Sequence, residues 1–183
     1  MKAYLIHGWG GNPQNCWFPW LTHVLENMGY EVVVPFMPKT DAPTIEGWVG
    51  KLKRLVEAGE DNILIGHSIG CQAILRYLES VEGQFGGVYL VAGWVRLKGI
   101  EEEEKAIAKP WLSTPLHWEQ IKEKAKRFVA FFSTSDPFVH VSDSEVFSEQ
   151  LDAKIMIDED LGHYDDEAGI TEMPQLLDEI SRS

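Results

Sequence analysis

The sequence predicts a three-layer α/β sandwich, in which helices cover both faces of a six-stranded parallel sheet. Short apolar runs rich in β-branched and aromatic residues alternate along the chain with segments of helical periodicity. These runs are nearly continuous instead of alternating with polar residues, which is typical of strands buried on both faces. The chain has 183 residues, of which 44% are hydrophobic, so residues 1–183 are expected to form a single domain.

The individual elements follow from this pattern in chain order. Glycines directly after the first two helical segments, Gly29 and Gly59, indicate where those helices end. The Ser142-Asp143-Ser144-Glu145 start predicts a capping box for the fifth helix. The predicted strands are 3–6, 31–35, 62–65, 87–91, 128–132 and 154–157, and the predicted helices are 17–28, 45–58, 69–79, 116–124, 142–151 and 173–180.

Residues 93–118 interrupt the alternation of strands and helices. They make the longest connection between two predicted strands before a helix begins. A small lid or a side wall that holds Trp94, Trp111 and Trp118 is one interpretation. The other is that these tryptophans only pack the insert onto the core.

The composition limits the partners and the location of the protein. A formal charge of −13 disfavours nucleic acid and anionic membrane surfaces, and no apolar run approaches the roughly 18 residues of a membrane-spanning helix. The most basic segment, 122–127, has Glu123 among its basic residues and Glu119 just before it, which predicts a solvated helix face. Cys16 and Cys71 form no CxxC motif, and the first residues already resemble a strand, so we expect a cytoplasmic location.

A nucleophile elbow is predicted at Gly66-His67-Ser68-Ile69-Gly70, between the third strand and the third helix. A serine nucleophile needs a tight, strained turn, and glycines two residues to either side let strand and helix approach each other. A serine that only caps the helix is the alternative. The context of a strand, a turn and a helix favours the elbow.

A serine nucleophile needs a base and an acid, and later strand ends supply both. Asp136 follows the fifth strand in "FFSTSDPFVH", where Pro137 stiffens the turn, and His163 follows the sixth strand in "IMIDEDLGHYDDE", behind Gly162. The chain order Ser68, Asp136, His163 is the order of α/β hydrolases. These three residues are therefore the predicted catalytic triad.

Other histidines and acids are weaker candidates for the triad. The alternative acids Asp158 and Asp160 precede His163 on the same strand end. His7 and His67 lie beside the site and are expected to hold the backbone of their own loops in place. His140 lies only four residues after Asp136, and His23 and His117 fall on helical or insert surfaces. No His-x-His or His-Glu-x-x-His spacing predicts a metal site.

The glycine loop "LIHGWGGNPQN" after the first strand has a predicted role in the same site. A dinucleotide fingerprint would need glycine where Pro13 stands, and no Lys-Ser or Lys-Thr pair makes a P-loop, so no cofactor is expected. Acyl transfer needs two backbone N–H groups aimed at the developing oxyanion. We expect these donors to be Ile69 and Trp9, with Gly10 as the alternative to Trp9.

The pieces "IHGW", "WFPWL", "GHSIG", "TSDPFV" and "LGH" together resemble the small α/β-hydrolase family of retinoblastoma-binding protein nine and the bacterial YdeN-like proteins. The resemblance covers the whole chain. It implies a sheet in the order 2-1-3-4-5-6, a triad of Ser68, Asp136 and His163, no large cap domain and serine hydrolase activity. The family's retinoblastoma-binding L-x-C-x-E motif is absent around Cys71, where Ile69 and Ala73 stand, so that partner is not expected.

The function predicted is a serine hydrolase that cleaves an ester or amide bond of a small molecule through an acyl-enzyme. Two alternatives remain open at this point: a catalytically silent interaction module of the same fold, and haloperoxidase or lyase chemistry on the same triad. Six acids close to His163 predict a preference for neutral or cationic substrates. An apolar acyl pocket could be lined by residues that could equally belong to the core: Trp17, Trp94, Trp111 and Phe138.

Overall fold

A computed structural model describes residues 1–182 as six strands and seven helices. Each of the predicted strands and helices overlaps one of these elements. In chain order the elements are β1 (Lys2–Ile6), α1 (Phe18–Asn27), β2 (Glu31–Val33), α2 (Ile45–Leu55), β3 (Gly59–His67), α3 (Ile69–Leu78), β4 (Phe85–Val91), α4 (Glu102–Ser113), α5 (Trp118–Lys122), β5 (Phe128–Ser133), α6 (Asp143–Leu151), β6 (Lys154–Asp158) and α7 (Pro174–Ser181).

All neighbouring strands pair in parallel, in the order β2-β1-β3-β4-β5-β6. The predicted three-layer α/β class and the strand order are therefore confirmed. The chain runs outward from β1 to β2, then crosses back over β1 to β3 and continues in the other direction. Loops that leave β1 and β3 consequently diverge at their carboxyl ends, which is where open α/β sheets bind ligands.

Right-handed crossovers place α1 and α2 on opposite faces of the sheet, since the chain moves in opposite directions through them. On the α2 face the helices α2, α3, α5 and α6 form a row in which each contacts the next. The core between the layers is built from buried aliphatic and aromatic side chains. None of the helices within residues 1–182 has the length and apolarity needed to cross a membrane.

The start of α3 lies very close to β1, and two glycines make this possible. A Cβ atom on Gly70 would overlap the main-chain oxygen of Ile6 and come within 2.8 Å of that of His7. A Cβ atom on Gly66 would lie 2.8 Å from the Cys71 nitrogen. Both glycines of the predicted elbow are thus required by close approach of backbone to backbone.

The insert at 93–118 contains the helix α4, which the periodicity did not predict. A capping box opens it, in which the Glu101 N–H donates to the Glu104 carboxylate at 2.7 Å and the Glu101 side chain accepts in return. The capping box predicted at Ser142 was wrong. Ser142 instead accepts a hydrogen bond from Arg96, and the buried Asp143 binds the Arg96 guanidinium and N–H.

The end of α4 is held down by buried contacts with α3. Arg76, on α3, donates to the main-chain oxygens of Trp111 at 2.7 Å and Thr114 at 2.9 Å, so a cation lies at the C-terminal end of the α4 dipole. The Trp111 indole is 2% exposed and donates to the Pro43 oxygen at 3.1 Å. The far end of the insert is therefore fixed to the body of the protein.

Candidate active site

Ser68 lies in a sharp turn between β3 and α3 at φ 53° and ψ −119°, a conformation that costs a non-glycine residue on the order of 1–3 kcal/mol. Its N–H donates to the Val91 oxygen at 2.9 Å, and its carbonyl accepts from the Cys71 N–H at 3.0 Å. These bonds hold the strained turn in place. The Ser68 side chain is half-buried in a cleft and makes no hydrogen bond with the rest of residues 1–182.

Asp136 and His163 form a hydrogen-bonded pair beside Ser68 in the fold. The His163 Nδ1 atom lies 2.8 Å from Asp136 Oδ2, while Asp136 Oδ1 accepts from the N–H groups of Phe138 and Val139 at 2.8 and 2.9 Å. Burial on its own would raise the pKa of Asp136, but the hydrogen bond and charge of His163 outweigh it, with the two N–H groups, and hold the pKa below its usual range. The ionised carboxylate keeps the proton of neutral His163 on Nδ1, which leaves Nε2 free to accept a proton.

Hydroxyl groups at the end of β5 form hydrogen bonds with the loop that carries His163. The Ser133 hydroxyl accepts from the Leu161 N–H and the Ser135 hydroxyl from the Gly162 N–H, both at 3.0 Å. Gly162, directly before His163, has φ 51°, in the left-handed region that favours glycine. The same short segment that presents Asp136 therefore also orients the His163 backbone.

His67 is a buried imidazole between Ser68 and the His163 loop. Its Nε2 atom lies 2.7 Å from the His163 carbonyl oxygen, which can only accept, so Nε2 carries the proton. Burial, reinforced by the charge of His163, lowers the pKa of His67 to about 3. A ring that stays neutral and donates through Nε2 braces backbone, as expected, and is not a second base.

His7 fixes the glycine loop after β1. The Met37 N–H donates to His7 Nε2 at 3.1 Å, so the protonated Nδ1 donates to the Gly8 oxygen at 2.9 Å, and the Gly11 N–H donates to the same oxygen at 3.2 Å. Burial lowers the pKa of His7, which agrees with a neutral ring. Because C=O and N–H point in opposite directions in a trans peptide, these bonds also fix the direction of the Trp9 N–H.

The three candidate oxyanion donors, the N–H groups of Trp9, Gly10 and Ile69, differ in whether they already donate a hydrogen bond. The Gly10 N–H donates to the Thr40 oxygen at 2.9 Å and is occupied. Within residues 1–182 the N–H groups of Trp9 and Ile69 have no acceptor. A Cβ atom on Gly8 would lie 3.5 Å from the Ser68 Cβ, so this loop passes directly beside the serine.

A cleft of about 520 Å³ contains Ser68, His163, Trp9 and the glycine loop. Its apolar wall comes partly from the insert, and its lining within residues 1–182 includes four acids but neither lysine nor arginine. Of the four aromatic residues considered for an acyl pocket, Trp94 and Phe138 line this cleft, whereas Trp17 and Trp111 do not. The further apolar lining residues are Phe18, Leu97 and Ile100, and the acids are Glu104, Asp165, Asp166 and Glu167.

The two loops at the mouth of the cleft are joined to each other. The Asp166 carboxylate accepts from the Asn15 side chain at 2.7 Å and from the Cys16 N–H at 2.8 Å. The Trp17 indole N–H donates to the Tyr164 oxygen at 3.0 Å. Burial, with the charge of Asp166, raises the pKa of Cys16 to about 12, so its thiol stays protonated and does not compete with Ser68 as a nucleophile.

Asp158 and Asp160, the alternative acids for the triad, lie in different environments from Asp136. Asp158 accepts from the Tyr164 hydroxyl at 2.9 Å and from the Gln175 amide at 3.1 Å, and Asp160 is exposed. In residues 1–182 no group of three or more potential ligands is close enough together to hold a metal ion. Sequence reasoning missed the hydroxyl contacts of Ser133 and Ser135, although the Ser-Thr-Ser run beside Asp136 was a visible signal.

Comparisons with known proteins identify similar sequences and a similar overall structure. A family model described as serine hydrolase matches residues 3–182. YdeN of Bacillus subtilis (strain 168), a protein named as a hydrolase, is 30% identical over 98% of this chain and 94% of YdeN, and serine hydrolase RBBP9 of Rattus norvegicus is 30% identical over 89% of this chain and 87% of RBBP9. The crystal structure of the B. subtilis ydeN gene product superposes with a TM-score of 0.91 at 29% identity, covering 99% of this chain and 97% of that chain.

Proposed function

The chain belongs to the serine hydrolase family, and on that premise we propose that Ser68, His163 and Asp136 cleave an ester or amide bond through an acyl-enzyme. The observation that carries the proposal is the 2.8 Å contact between a buried, ionised Asp136 and His163, which lines the same cleft as the strained Ser68. Nothing observed favours a silent interaction module over a hydrolase.

In the proposed reaction, His163 Nε2 removes the proton from the Ser68 hydroxyl as its oxygen attacks the substrate carbonyl. Asp136 stabilises the imidazolium that forms and keeps its ring oriented. The imidazolium then protonates the leaving alcohol or amine, and an acyl-serine remains. A water molecule, deprotonated by His163, hydrolyses that ester and restores the free serine.

The N–H groups of Trp9 and Ile69 are proposed to bind the oxyanion. Both are without an acceptor in residues 1–182 and both flank Ser68, while the Gly10 N–H is already paired with Thr40. The bonds that His7 and Gly11 donate to the Gly8 oxygen would keep the Trp9 N–H oriented before substrate arrives. Donors that need no reorganisation stabilise developing charge most effectively.

The substrate we propose is a small ester or amide with an apolar acyl group and no negative charge. Trp94, Leu97 and Phe138 give one wall of the cleft an apolar surface, whereas acids crowd its mouth. An anionic substrate would meet repulsion there that a neutral or cationic one would not.

Three further assignments belong to this proposal. The chain acts as one domain, and the insert 93–118 is a fixed side wall of the cleft, a role supported by the Arg76 and Trp111 contacts at its far end. The protein works in the cytoplasm, which suits two unpaired cysteines, Cys16 and Cys71.

A fluorophosphonate activity probe tests the proposal directly. We expect stoichiometric labelling of the native protein, release of p-nitrophenol from short acyl esters, and loss of both in Ser68→Ala. Ser113→Ala is the matched control, because Ser113 is an exposed residue at the end of α4, and should label normally. Hydrolysis that persists in a folded Ser68→Ala variant would refute the mechanism.

A further inference from the structure

The imidazole of His67 connects the two halves of the proposed catalytic machinery. It stands at the end of β3, directly before Ser68, and donates from Nε2 to the main-chain oxygen of His163 at 2.7 Å. Their ring centroids lie 5.0 Å apart, and only 5% of His67 is exposed. One side chain thus joins the backbone of the nucleophile to the backbone of the base.

Other hydrogen bonds to the His163 loop come from different parts of the fold. Ser133 and Ser135 reach it from the end of β5, and Trp17 reaches it from the start of α1. These contacts orient the loop relative to its neighbours, but none of them includes the elbow. Within residues 1–182, the hydrogen bond from His67 is the one that connects the His163 backbone to the Ser68 turn.

We propose that His67 is a positioning residue whose Nε2–H, donated to the His163 carbonyl, sets the separation between the Ser68 hydroxyl and the His163 imidazole. The inference rests on the proposed function, since it concerns the same serine and base. His67 itself is not proposed to touch substrate or to exchange protons with it.

The surroundings of His67 suit a rigid spacer. Edges of its ring meet Trp17 at 6.0 Å and Phe18 at 6.5 Å between centroids, and a Cβ atom on Gly8 would lie only 3.0 Å from His67 Nδ1. The aromatic packing and the nearby glycine loop together leave the ring little freedom. A side chain this confined can transmit a fixed distance from one backbone to the other.

The neutral state of His67 is needed for the same task. His163 carries a positive charge while it holds the serine proton, and a second cation 5.0 Å away would oppose that state. Burial keeps His67 neutral throughout the working pH range. Only one of its nitrogens can then donate, and the geometry assigns that nitrogen to His163.

Two His67 variants with side chains of equal length distinguish the effect of the donated hydrogen bond from the effect of side-chain size. His67→Gln retains an N–H at the ε position, while His67→Met places a methyl group there. A displacement of about 1 Å between reacting groups costs about 10²-fold in rate. We therefore expect kcat for a short p-nitrophenyl ester to fall about 10- to 100-fold in the Met variant, with KM nearly unchanged, and to stay within about threefold of the native value in the Gln variant.

The fluorophosphonate labelling rate should follow kcat in both variants, and the downfield proton resonance of the His163 Nδ1–H···Asp136 bond should persist with Gln and shift or broaden with Met. Thermal unfolding identifies any variant that does not fold. Should the Met variant not fold, the Gln variant alone decides, and a tenfold loss of kcat there overturns the proposal.

The native protein provides a second test that needs no variant. Imidazole ¹⁵N spectra should show the Nε2–H tautomer of His67, and an Nδ1–H tautomer overturns the proposal. Equal kcat losses in folded Gln and Met variants, or no loss of kcat in either variant, also overturn the proposal. Failure of the proposed function has a different signature, because the native protein would then show neither labelling nor hydrolysis, or hydrolysis would survive in Ser68→Ala.

Discussion

Replacement of Asp136 by asparagine is the most informative single change in this protein. Asp136 Oδ1 accepts two backbone N–H groups, so the asparagine oxygen will take that position and its NH₂ group will face His163 Nδ1. Two donors cannot face each other, and the His163 ring must adopt the tautomer that has its proton on Nε2. In that form it cannot accept the Ser68 proton.

The wrong tautomer costs about 10⁴-fold in kcat, or about 5 kcal/mol of transition-state stabilisation. The assay is steady-state hydrolysis of a p-nitrophenyl ester, with thermal unfolding measured alongside it. Asp143→Asn is the matched control. Asp143 is equally buried and also accepts two backbone N–H groups, from Val95 and Arg96, but its third partner is the Arg96 guanidinium.

The control should lose stability, because it removes the charge of the buried Asp143 carboxylate that pairs with the Arg96 guanidinium, while kcat stays within a few-fold of the native value. If Asp136→Asn is folded and keeps kcat within tenfold of the native enzyme, Asp136 is not the orienting acid. The tautomer argument is then refuted, and Asp158 becomes the acid to replace.

The other predictions concern stability, pH and charge. Gly70→Ala should lower the free energy of unfolding by about 3 kcal/mol in urea titrations, because its Cβ would overlap backbone oxygens, whereas Gly29→Ala, at φ 90° in open space, should cost about 1–2 kcal/mol. Ser133→Ala should cost about 1–3 kcal/mol and lower kcat, since it leaves the Leu161 N–H unpaired; unchanged kcat would mean that this bond does not orient the base. The depressed pKa of Asp136 adds stability above its unfolded value of about 3.9, and this is lost as pH falls through the lower folded pKa, so Asp136→Asn should lose less stability on acidification than the native protein. Cationic esters should be hydrolysed with higher kcat/KM than anionic ones of equal size at low salt, and the ratio should shrink at high salt; a ratio that ignores salt argues against a role for the acids of the cleft.

Much of this architecture could be predicted because its signals are local. Period and composition indicated each strand, and the Gly66 to Gly70 motif placed Ser68 in a turn that the structure finds at positive φ. Asp136 and His163 could be placed because each follows a strand, and parallel strands bring their carboxyl ends to the same edge of the sheet.

Two of the features that escaped prediction depend on residues far apart in the chain, and the third is a helix with an irregular sequence. Ser142 matched a capping box, but Arg96, 46 residues away, takes its hydroxyl. The helix α4 was missed because it carries Pro110 and lacks a continuous apolar stripe. Trp17 resembled a pocket residue, whereas its indole donates to the Tyr164 oxygen, 147 residues further along the chain. No local pattern encodes such contacts.

The Asp166 contacts with Asn15 and Cys16 have a consequence for the dynamics of the enzyme. They join the loop that carries Trp9 to the loop that carries His163, across 150 residues of sequence. Neither loop can open far without breaking bonds to the other, so the two should unfold locally as one cooperative unit. Amide hydrogens of Cys16 and Tyr164 would then exchange with a common opening free energy. Such an opening would displace the oxyanion donor and the base together. The enzyme would therefore alternate between a state in which both groups are in place and a state in which neither is.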